Sequence, residues 1–117
     1  MKFNDSYFLN QFHKARFQDA ARRNGSIYQS SENLVAAYLM TYTPELTAKT
    51  AQALSGGAID FAGVLGQNLT GEEKILIQFA ANLYAPDKYE SPAVFDLVSK
   101  LSGESYTVMV NVFKMFA

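Results

Sequence analysis

His13 is the only histidine in the chain, and so the only side chain that ordinarily exchanges a proton near neutral pH. A general base needs a second group to fix its tautomer, and nothing close in sequence supplies one. Arg16 stands three residues on, and Asp19, six residues on, falls on the far side of an ideal helix. Among the acids, Glu72 and Glu73 sit where a first helical turn favours negative charge. Asp60, between Ile59 and Phe61, is expected to lie buried and to anchor backbone amides as an Asx-type turn. A metal centre needs several converging ligands, and a chain with one histidine, no cysteine and scattered acids predicts none. Nucleophile and phosphate motifs are missing too. No G-x-S-x-G occurs, and Gly63-Val64-Leu65-Gly66 lacks the Lys and Ser/Thr of a phosphate loop. The residues therefore point to no catalytic set and no cofactor; an enzyme reading would have to pair His13 with a distant acid, as a small hydrolase or transferase.

Charge offers a second lead. The net charge of −1 argues against a strong polyanion binder. Residues 1–25, however, carry five cations against two acids, while the remainder carries five lysines against nine acids. The basic first helix presents His13, Arg16, Arg22 and Arg23 as candidate binding residues, aimed at an acidic partner or, less favourably, at phosphates. Phe3, Tyr7, Phe8, Phe12 and Phe17 crowd the same span, more aromatics than one helix face buries in a small bundle. Val112, Phe113, Met115 and Phe116 form a similar cluster near the end of the sequence. Two such clusters predict a surface for a protein partner or for self-association. A DNA-reading helix pair at 34–54 is disfavoured, because PELTAKTAQAL opens on Glu45 and offers only Lys49 as a base.

The elements that position these residues are helical. Thr70 and Glu73 have capping-box spacing, and the stretch to Tyr84 is apolar nearly all round, which predicts a buried central helix over 71–84. It is too short for a bilayer, which needs roughly 20 residues. Asn4 or Asp5 is expected to cap a first helix running to Asn24, with Gly25 as a left-handed stop. Ser30 or Ser31 opens a second helix to about Tyr42, and Thr43-Pro44 a third, stopped by Gly56-Gly57. Residues 56–69 read as a compact connector with a short helical turn. Ser91-Pro92 predicts the start of a fifth helix through Val94, Phe95, Val98 and Leu101. For 104–117 a strand competes with a helix carrying a stripe of Tyr106, Met109, Val110, Phe113 and Phe116; helix is preferred because no second strand offers itself. The expected fold is all-α: one domain of five to six helices around 71–84. With 49% hydrophobic residues and no leader-like segment at its start, the chain reads as an ordinary cytoplasmic protein with no membrane span.

In order, FHKARF, LVAAYLMTYTPEL, the IDF connector, LTGEEKILIQFAANLY, SPAVFDLVSKLS and an aromatic tail resemble a family of short uncharacterised helical proteins from Gram-positive bacteria, their phages and other mobile elements. The resemblance implies a helical cytosolic domain of unknown function, phage-related. It transfers no site residues. The expected function is a non-enzymatic interaction module, which in a mobile-element setting would modulate a host protein.

Overall fold

In a computed structural model describing residues 1–117, the chain forms seven α-helices and two 3-10 turns, with no strand. The helices are α1 (Gln11–Arg23), α2 (Ser31–Met40), α3 (Pro44–Thr50), α4 (Phe61–Leu65), α5 (Gly71–Tyr84), α6 (Val94–Ser99) and α7 (Glu104–Phe116). The all-α expectation holds. The number exceeds five to six because the connector holds a full short helix, α4, and the fifth expected helix is followed by a complete seventh.

Caps explain most boundaries. Thr70 Oγ1 accepts from the Glu73 amide and Glu73 Oε1 accepts from the Thr70 amide, closing the capping box that starts α5. Ser30 caps α2 through the Asn33 amide, and Thr43 caps α3 with Pro44 at its first position. Asp60 Oδ1 accepts from Gly63 N at 2.9 Å and caps α4. A Cβ at position 63 would collide with that carboxylate, so the tight cap requires glycine there.

Two boundaries differ from expectation. Asn4 caps only the 3-10 turn Asp5–Tyr7, and Asn10 caps α1 by accepting from the Phe12 and His13 amides. The break has a packing cause: Phe8 is extended, and its ring joins Phe3, Phe17 and Tyr38 in one cluster with centroids 5.3–6.0 Å apart. A continuous helix from Asn4 would carry Phe3 and Phe8 away from it. Gly25 is not a left-handed stop; α1 ends at Arg23, and Asn24 turns the chain into a second 3-10 segment, Gly25–Tyr28.

The middle of the molecule is shared by α2 and α5, which pack on each other more extensively than any other pair. Val35 to Met40 are six consecutive residues with no exposure at all, and Leu76, Ile77, Ala80 and Ala81 of α5 are equally enclosed. The central helix expected at 71–84 is present, with α2 as an equal companion. Segment 104–116 is a helix, and it buries Ser105, Val108, Met109, Val112 and Met115, of which only Met109 belongs to the stripe that marked it as helical. Tyr106, Phe113 and Phe116 remain about half exposed. Residues 105, 108, 112 and 115 share one helical face, and the outward aromatics form a second apolar face beside it. Finally, α6 begins at Val94 after an extended Ala93, without a side-chain cap; Ser91 Oγ is turned to the Pro92 carbonyl instead.

Candidate functional site

His13 is fully buried, boxed by Phe8 and Tyr38 with ring centroids 5.1 and 4.8 Å away. Its Nε2 lies 2.9 Å from the Tyr38 carbonyl, and its Nδ1 lies 3.2 Å from the Leu9 amide. A carbonyl only accepts and an amide only donates, so the partners assign the neutral ring with the proton on Nε2. In that tautomer both nitrogens are occupied. Burial drives the His13 pKa down to about 4; the Tyr38 hydrogen bond opposes this, and the Arg16 charge adds to it. No surface cavity is lined by His13, so its ring has neither a free lone pair nor a path to a substrate. The hydrolase or transferase reading finds no geometric support.

The cations of α1 are also engaged within the chain. Arg16 donates from Nε to the Thr41 carbonyl (2.8 Å) and from a terminal nitrogen to the Tyr42 carbonyl (2.9 Å). These are carbonyls at the C-terminal end of α2, which lack intrahelical partners and favour positive charge. Arg22 and Arg23 both pair with Asp19 at 2.9 Å, and Lys14 pairs with Asp5 at 2.7 Å. Arg22 and Arg23 remain on the surface, Arg22 beside a shallow groove with Ala15, Gln18 and Tyr28. Thus His13 and Arg16 tie α1 to α2, while the other two form a solvated ion-pair cluster.

The remaining acids behave as scaffolding. Asp60 is exposed rather than buried, because its carboxylate serves the amide at the solvent-facing start of α4. Burial alone would raise the Glu73 carboxyl, but the Lys49 ammonium at 2.7 Å and the Thr70 bonds outweigh it and hold the pKa below the usual value. No three His, Cys, Asp or Glu side chains converge as a metal site would require.

An exposed apolar surface lies on α6 and α7. Val94, Phe95 and Val98 are 74, 71 and 69% exposed, and α6 buries none of its own residues. Beside them, Val94, Leu97 and Val98 face Tyr106, Met109, Val110 and Phe113 across a groove of about 460 Å³ lined by hydrophobic residues alone. The hinge between the two helices is Gly103, with φ 58° and ψ −126°, a conformation that essentially only glycine adopts. Isolated exposed apolar residues are ordinary, whereas a contiguous apolar patch of several hundred Å² marks a contact surface. The periodicity of α6 identified an apolar arc correctly but could not say whether the protein's own core or something else covers it.

No protein-family model matches the chain, and neither a curated protein nor a solved structure is significantly similar to it. No helix is long and apolar enough to cross a membrane.

Proposed function

We propose that the protein is a non-catalytic protein-interaction module whose contact surface is the apolar face of α6 and α7. The observation that carries this reading is the exposure of Val94, Phe95 and Val98 on a helix with no buried residue of its own. Such a helix contributes little to the core, and leaving its side chains in water forgoes roughly 1.5–3 kcal/mol per large apolar residue. A partner that covers them recovers that free energy. The groove beside α6 adds a concave receptor, and the half-exposed rings of Tyr106 and Phe113 supply the aromatic contacts in which interface centres are rich. The reading is further supported by the engagement of His13 and of the α1 cations inside the chain, whereas the apolar face of α6 and α7 has no cover from the chain itself.

A photo-activatable benzoyl-phenylalanine placed at position 95 in the native host tests the reading. Irradiation should give discrete cross-linked species, whereas the same probe at exposed Gln52 should give none. Indistinguishable patterns at the two positions would remove the proposal.

A further inference from the structure

Resting on the reading of the α6–α7 face as a contact surface, we infer that its occupant is the same face of a second copy of this chain, joined as a two-fold pair. A two-fold interface is self-complementary: one patch must carry both a projection and a receptor. This patch has both. Phe95 stands 71% exposed on α6 without lining the groove, and the groove of about 460 Å³ lies immediately beside it between α6 and α7. Rotation about a two-fold axis brings each copy's Phe95 to the other's groove.

The area fits as well. Val94, Phe95, Val98, Tyr106, Phe113 and Phe116 expose on the order of 700 Å² between them, against about 800 Å² per partner in an interface of standard size. A smaller ligand would leave much of that surface in water.

Charge does not oppose the pairing. The groove is lined by apolar residues alone, Glu104 lies on the far side of α7 from it, and on the far side of α6 Asp96 pairs with Lys100 at 3.1 Å.

Sedimentation equilibrium of the full chain, from low micromolar to near-millimolar concentration, is the test. The expected result is a mass rising to twice that of the monomer. Phe95→Asp should abolish the rise while leaving the helical circular dichroism intact. Phe113→Asp, on the opposite wall of the groove, should do the same. A dimer indifferent to Phe95→Asp overturns the inference, because its interface lies elsewhere. A chain that stays monomeric also overturns it, and the position-95 photoprobe then separates the two levels. Cross-linking to a different protein leaves the contact surface standing without self-pairing, and no cross-link removes both.

Discussion

Acidification should destabilise this protein through a single histidine. The His13 pKa is about 4 in the folded chain against an ordinary 6.5. Between those values the unfolded chain binds a proton that the folded chain refuses, so stability falls as pH falls through that window. The limiting slope is about 1.4 kcal/mol per pH unit, and the total loss between pH 6.5 and 4 is about 3 kcal/mol. Against the 5–15 kcal/mol typical of a domain, that is a large fraction. The structural reason is specific. A protonated ring would turn an Nδ1–H toward the Leu9 amide, replacing a 3.2 Å hydrogen bond with two opposed donors. Glu73 also loses stabilising contacts in acid, but a carboxyl with a lowered pKa acts only below its ordinary 4.5, as pH falls through the folded value. Urea unfolding at half-unit steps from pH 7.5 to 4.5 isolates the histidine. The wild type should hold steady to about pH 6.5 and then lose stability steadily. His13→Leu should start about 1–3 kcal/mol lower, from the Leu9 amide and Tyr38 carbonyl it leaves unpaired, and should show no such slope. A wild type flat between pH 6.5 and 4.5, or a His13→Leu variant with the same slope, would refute the reasoning.

Two further substitutions separate structural from surface roles. Arg16→Ala removes both bonds to the C-terminal carbonyls of α2 and should cost about 2 kcal/mol, lowering the thermal midpoint by roughly 8–10 °C, whereas Arg22→Ala, on a 75% exposed side chain, should cost under about 0.5 kcal/mol. Equal effects would mean that Arg16 is no clamp; circular dichroism melts suffice to compare them. Gly103→Ala should cost about 1–3 kcal/mol in urea unfolding although nothing lies within 4 Å of the new methyl, because the strain is in the backbone. A neutral Gly103→Ala would show that the α6–α7 hinge tolerates another conformation.

How far the fold could be read from sequence depended on whether the deciding contact was local. Thr70 with Glu73, Ser30, and Thr43 with Pro44 declare their helices by hydrogen bonds within three residues, and α5, α2 and α3 start where those pairs say. Asn4 and Asn10 are equally good local caps. The choice between them rests on Phe8 turning back to Phe17 and Tyr38, which no local rule contains. In α7, apolar residues cover more than half the circumference, so the pattern shows a helix without naming its inward face; packing against α5 and α2 selects Val108 and Val112. The binding residues suffered most. His13 and Arg16 look like surface chemistry until carbonyls 25 and 26 residues away take their donors. Val94, Phe95 and Val98 look like core because a docking face and a core face have the same period.

The proposed pairing finishes the α6–α7 face by contact with another copy of itself. Amide hydrogen exchange, measured on the same protein when dilute and when concentrated, bears on it most directly. The claim predicts that residues 94–99 and the outward face of α7 exchange more slowly at high concentration, while residues 35–40 and 75–81 do not change. Exchange at 94–99 that is independent of concentration would contradict it.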